Sequence, residues 1–359
     1  MKILIVLPYL SVYGKNTNPI VMSMANGLSA LGHDVICSDD DLWQNYQQYD
    51  VIFFQWPEAL CGYVNHFGID ALESHLEEIR RSKVKTVVTC HNLHPHNCDA
   101  LTTKIYDLLY SKVDAMHHMG DFSYNYMKQN YPDKYHFTAP HHITESFFDQ
   151  SVSKEKAREL LQIPIGAVVI SSFGAFRNSE EEHLFVQMAK DLGRKDFCFL
   201  APRMSKGQLY NGRMINRSLV YLYKTLLYKR LNLKCVDKFL TEQEQEVWLA
   251  ASDIIFIQRK EILNSGNVPL AFAKGKIVVG PDKGNVGSIL KETGNFWFNP
   301  NDRMSVKKSV IDAVVEYKTG NRAIQNLQYA KNKWTVDVVC KIISDNLIAF
   351  VNGEIAQTV

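Results

Sequence analysis

Short, nearly continuous apolar runs recur along the chain, each followed by a longer stretch whose apolar residues return every three or four positions. In the first half this pattern predicts strands over 2–7, 34–37, 51–55, 85–90 and 115–118. Helices are predicted between them over 19–31, 69–81, 101–110 and 122–130. Runs such as Ile3 to Leu7 and Val51 to Phe54 lack polar alternation, as expected for strands covered on both faces of a parallel sheet. The pattern weakens after Tyr131. A second series then predicts strands over 167–173, 197–201, 234–236, 254–257, 277–279 and 295–298. Helices are predicted over 180–192, 242–251, 265–274, 286–291 and from Ser305 onwards. Alternating strands and helices in two series imply an α/β chain of two Rossmann-like domains, 1–150 and 151–339, facing across a cleft. Ligands of such sheets bind beyond the carboxyl ends of the strands, so functional residues are sought there.

Composition narrows the classes. The 359 residues suffice for two cores, and a net charge of +2 gives no global field for nucleic acid. The opening MKILIVLP is too short an apolar run for a secretory leader, and no stretch is apolar enough to span a membrane. Seven scattered cysteines without a CxxC fit reduced thiols and a cytoplasmic protein.

Several strand ends carry candidate chemistry. Gly174 and Arg177 end the strand predicted over 167–173; Arg177 reads as an anion clamp or as a partner for Glu180 to Glu182. Arg259 and Lys260 end a later strand and point to the same place. Asn264, Ser265, Gly266 and Asn267 open a helix whose amides and dipole suit a phosphate, although many helices begin this way. Asn16 and Asn18, with Tyr13, lie in the loop after the first strand and line a ligand site or cap a helix. Trp56 and Glu58 follow the strand over 51–55, where they stack on a sugar and take its hydroxyl, or pack a corner. His91, His94 and His96 crowd TCHNLHPHN, but Pro95 breaks any helical ligand spacing, so no metal site is expected. His91 directly follows a strand. His117, His118, His141 and His142 form a second concentration, read first as loop histidines bonding local backbone. The basic, leucine- and tyrosine-rich segment 213–234 reads as a membrane-surface helix or a solvated amphipathic one.

Taken together, NTNPIV, WPE, HNLHPH, FGAFR and RKEILNSGNVPLAFAKGKIVVGPDKGNVGSIL resemble glycosyltransferases of the GT-B fold, in particular family 4-like enzymes of bacterial polysaccharide and capsule assembly. The helix after Trp334 resembles that family's carboxyl-terminal helix, which would return residues 340–359 to the first domain. The resemblance implies a nucleotide-diphosphate sugar donor, UDP- or GDP-linked, no cofactor and no metal. The implied acceptor is a saccharide or lipid-linked saccharide, with a possible peripheral membrane contact and retention at the anomeric carbon. It implies catalytic roles for His91, Arg177 and Lys260, and donor binding by Gly174, Glu261, Asn264, Ser265, Gly266 and Asn267. Tyr13, Asn16, Asn18, Trp56, Glu58, His94 and His118 would lie on the acceptor side. Two departures stand out: the paired glutamates eight apart around the donor loop are absent, and Glu180 to Glu182 replace the lysine after the arginine. They keep open a catalytically silent binding protein or a nucleotide-sugar epimerase on the same fold.

Overall fold

A computed structural model describes residues 1–6, 18–94, 99–193, 196–205, 217–236, 238 and 240–354. The chain divides into two compact units, Met1–Thr144 with Lys333–Val359, and Glu145–Asn332. Each unit is built on a six-stranded parallel sheet flanked by helices, as the alternating pattern requires.

In the first unit the strands are β1 (Lys2–Val6), β2 (Asp34–Cys37), β3 (Val51–Phe54), β4 (Lys85–Thr89), β5 (Ala115–His118) and β6 (Tyr135–Thr138). Their order is β2-β1-β3-β4-β5-β6, so the winding reverses between β1 and β3. Alternate side chains feed two apolar layers. Ile3, Ile5, Val51 and Phe53 pack with Val21, Met24 and Leu28 of the Pro19–Ala30 helix. Leu4, Val6, Ile52 and Phe54 pack with Leu72 and Leu76 of the Ile69–Arg81 helix. Asn18 caps the Pro19–Ala30 helix by accepting the Ile20 amide at 3.0 Å, and Pro19 takes the first turn, where no amide is needed. Strand β6 did not emerge from the sequence: YHFT is short and half polar, and it gains its place as an edge strand only by pairing with β5.

The Val336–Val351 helix completes this unit by packing on Pro19–Ala30 through Val339, Cys340, Ile343 and Leu347. Gly27 allows the contact, since a Cβ there would lie 2.6 Å from Cys340 Sγ and 2.7 Å from Val336 Cγ1. A buried 2.7 Å bond between His33 Nε2 and Ser344 Oγ ties the same helix down.

The second unit holds β7 (Val168–Ser171), β8 (Phe197–Pro202), β9 (Leu233–Val236), β10 (Ile254–Phe256), β11 (Ile277–Pro281) and β12 (Phe296–Phe298). Their order is β12-β11-β10-β7-β8-β9, so the winding reverses between β7 and β10. Ile170, Phe199, Phe256 and Val279 pack there with Phe185 and Val310. At the amino end of β10, Asp253 accepts the Val169 amide at 2.8 Å and the Arg158 guanidinium at 2.6 Å, with Lys154 Nζ at 2.5 Å. Arg158 is only 1% exposed, which is tolerable because the carbonyls of Ala251, Ile165 and Ala167 and this carboxylate take up its donors. Among the described residues no helix is long and apolar enough to cross a membrane.

Candidate functional site

The reversal between β7 and β10 opens a crevice at the carboxyl edge of the second sheet, where ligands of doubly wound folds bind. After β7 the chain turns at Gly174 with φ +87°, a conformation that favours glycine. The Asn267 side-chain amide closes this turn from the other side, donating to the Phe173 carbonyl at 2.8 Å. Beneath it, Ser172 Oγ donates to Gln258 Oε1 at 2.7 Å. Arg259, just after β10, donates to the Ala175 carbonyl at 3.0 Å and forms an ion pair with Glu181. The other Glu181 oxygen accepts the Arg177 amide at 2.8 Å, so one buried carboxylate fastens FGAFR to the end of β10.

Arg177 itself is exposed. Partial desolvation against the sheet edge, and then the neighbouring charge of Arg259, hold its guanidinium below the usual arginine value. Arg203, after β8, is lowered by the same two causes and sits at an unusual φ of 74°. Three guanidiniums therefore converge on one sheet edge, an arrangement that an arriving anion relieves. Sequence reasoning missed Arg203 because β8 ends in a proline-arginine turn that carries no motif.

The remaining second-unit candidates are more occupied. Lys260 lies 3.6 Å from Glu180, and Glu261 lies 3.1 Å from Lys283. Asn264 Oδ1 accepts the Asn285 amide at 2.8 Å. Ser265 Oγ accepts the Asn267 amide at 3.3 Å, and Gly266 precedes the Asn267–Ala273 helix. The loop sits low because Gly284 admits it: a Cβ there would fall 2.4 Å from the Ile262 carbonyl oxygen. The acidic run is fully used, since Glu182 binds Lys224 and the Tyr228 hydroxyl, each at 2.8 Å.

In the first unit the ends of β3 and β4 meet. His91 Nε2 lies 3.3 Å from Gln55 Oε1, and its ring stacks on Trp56 with centroids 4.4 Å apart. Gln55, Thr89, His91, His117, His141 and His142 border a cavity of about 20 Å³, room for one water. His117 Nε2 donates to the Ala139 carbonyl at 2.9 Å, leaving Nδ1 to accept from Thr89 at 3.1 Å. Burial pulls His117 and His142 down to about 4 and His91 well below the ordinary imidazole value, so all three are neutral at pH 7. His142 Nε2 lies 2.8 Å from the Ile20 carbonyl, at the head of the Pro19–Ala30 helix. His141 Nδ1 lies 2.8 Å from the His142 carbonyl, the local backbone bond expected of this pair, and the return of residues 139–143 onto the sheet also makes both rings cavity walls.

Other first-unit candidates separate. Glu58 Oε1 accepts the Tyr106 hydroxyl at 2.6 Å, Asn18 is spent as a helix cap, and His94 is exposed. Tyr13, Asn16 and His96 lie outside the described residues. His118 is corrected: it is fully buried, away from that cavity. His136 Nε2 donates to the Tyr131 carbonyl, so its Nδ1 accepts at 2.9 Å from His118 Nε2. The strand's alternation turns His117 towards one face and His118 towards the other, which excludes His118 from acceptor contact. Among the described residues no three His, Cys, Asp or Glu side chains assemble to hold a metal.

No protein-family model matches the chain, and no curated protein matches it by sequence. Solved structures do. Sucrose-phosphate synthase from Thermosynechococcus elongatus superposes with a TM-score of 0.71 at 12% identity, covering 98% of this chain and 100% of that one. HepE from Anabaena, solved with UDP, gives 0.70 at 13% identity over 97% and 100%. A trehalose-6-phosphate protein from E. coli, bound with UDP-2-fluoro glucose, gives 0.66 at 10% identity over 97% and 99%. At such identities the likeness shows the fold: two parallel-sheet Rossmann-like units in one chain, the GT-B fold.

Proposed function

We propose that the protein is a glycosyltransferase. It moves a sugar from a nucleoside-diphosphate donor, UDP- or GDP-linked, to a hydroxyl of a saccharide or lipid-linked saccharide in polysaccharide or capsule assembly. The observation that carries this reading is the convergence of Arg177, Arg203 and Arg259 around the Gly174 turn, at the switch point of the second sheet. HepE has been solved with UDP and with UDP-glucose, which favours a uridine donor here.

In the proposed reaction the acceptor oxygen bonds to the anomeric carbon as the bond from that carbon to the β-phosphate oxygen breaks. The hydroxyl proton leaves with the nucleoside diphosphate, and the anomeric configuration is retained. Arg177, assisted by Lys260, stabilises the negative charge that develops on the leaving diphosphate; Gly174, Glu261, Asn264 and the 265–267 amides hold the donor. Neutral His91, oriented by Gln55 and Trp56, contacts the transferred sugar through hydrogen bonding. Trp56, Glu58, His94, Asn18, Tyr13 and Asn16 belong to the acceptor side. No metal is required, because guanidinium groups supply the positive charge.

A second reading has its own support. The ion pairs of Arg259 with Glu181 and Lys260 with Glu180 offset positive charge that a diphosphate needs, as in a silent binding protein. Titration calorimetry with UDP and GDP separates the two. The transferase reading expects saturable binding of one of them, weakened about tenfold or more by Arg177→Ala. Absence of binding to either nucleotide favours the silent protein.

A further inference from the structure

The Arg217–Arg230 helix has two apolar faces, and only one of them is used. Tyr228 is buried and Leu227 packs against the core, while Lys224 and Tyr228 both bond Glu182 at 2.8 Å. These contacts fix the rotation of the helix. They leave Leu219, Leu222, Tyr223 and Leu226 on the outside, spaced three, four and seven residues apart, each between 55 and 63% exposed. Such spacing makes one continuous stripe, the mark of a face that is ordinarily covered.

The charges around the stripe say what covers it. The helix carries four basic residues, Arg217, Lys224, Lys229 and Arg230, and no aspartate or glutamate, in a protein whose net charge is only +2. Lys229 and Arg230 are exposed at the end of the helix. A second copy of this surface would set like charges against each other. A nucleic acid would satisfy the cations but leave three leucines against phosphates. An anionic bilayer satisfies both halves, leucines entering the acyl boundary, tyrosine at the headgroups and basic side chains on the phosphates. The geometry points to this helix as the face on which the protein docks to an anionic membrane surface, lying in its plane. This inference stands apart from the catalytic reading, since none of its residues belongs to the proposed donor or acceptor groups.

The test is sedimentation of the full chain with phosphatidylcholine vesicles, with and without about one third phosphatidylglycerol. The wild-type protein pellets with the anionic vesicles, at least about tenfold more strongly than with neutral ones, and less in high salt. Leu222→Glu with Leu226→Glu lowers that binding about tenfold or more, and Lys229→Glu with Arg230→Glu does so independently. Circular dichroism verifies folding of both variants. Wild-type protein that stays in the supernatant, or both variants pelleting like wild type, overturns the proposal. So does a wild-type dimer that Leu222→Glu with Leu226→Glu turns into a monomer, or binding to RNA but not to vesicles.

Discussion

His117→Gln tests whether the buried imidazoles of the first unit are neutral by construction. In the folded chain burial pulls His117 from an ordinary 6.5 to about 4, aided by the nearby charge of His141 when that ring is protonated. Depression of a base means that the unfolded chain binds more protons between these values. Stability therefore falls as pH drops through 6.5, and the loss levels off below about pH 4. The full difference corresponds to about 3 kcal/mol, of which about 1 kcal/mol has been lost by pH 5.5. His142, likewise lowered to about 4, adds a similar amount. Glutamine retains a donor for the Ala139 carbonyl but cannot titrate. Urea unfolding at pH 7.5 and 5.5 should show the wild-type chain losing about 1 kcal/mol more than the variant between the two pH values. An identical pH dependence in the two proteins would show that His117 is not held neutral by its surroundings.

Two other substitutions probe the scaffold. Asp253→Ala strands the buried Arg158 guanidinium and should destabilise the second unit by about 3–5 kcal/mol in denaturant unfolding; a change under about 1 kcal/mol would contradict the buried pairing. Gly27→Val forces a side chain into the space held by Cys340 and Val336. It should cost about 2 kcal/mol and expose the Val336–Val351 helix to proteolysis, whereas undiminished resistance would mean that the helix does not pack there.

The fold was largely legible because apolar runs mark doubly covered strands, and eleven of the twelve described strands fall where the pattern predicts them. What escaped depended on tertiary contacts. Tyr135–Thr138 becomes a strand only because β5 offers it an edge. The Lys154–Leu160 helix, KEKAREL, reads as a solvated segment, yet its Arg158 is buried because Asp253, nearly a hundred residues later, awaits it. The site divided in the same way. Gly174, Arg177 and His91 announce themselves by directly following strands. Arg203, Gln55 and His141 acquire a role only when separate turns converge, and His118 was misplaced because proximity along a strand does not specify the face.

The central claim is sugar transfer, and its most direct measurement follows label from a UDP- or GDP-linked radioactive sugar into saccharide and lipid-linked saccharide acceptors, with release of nucleoside diphosphate monitored alongside. The account predicts stoichiometric release and transfer by the wild-type chain, with kcat/KM lowered about 100-fold in Arg177→Ala. A folded chain that binds the nucleotide yet transfers no label, or an Arg177→Ala variant working at the wild-type rate, would contradict it.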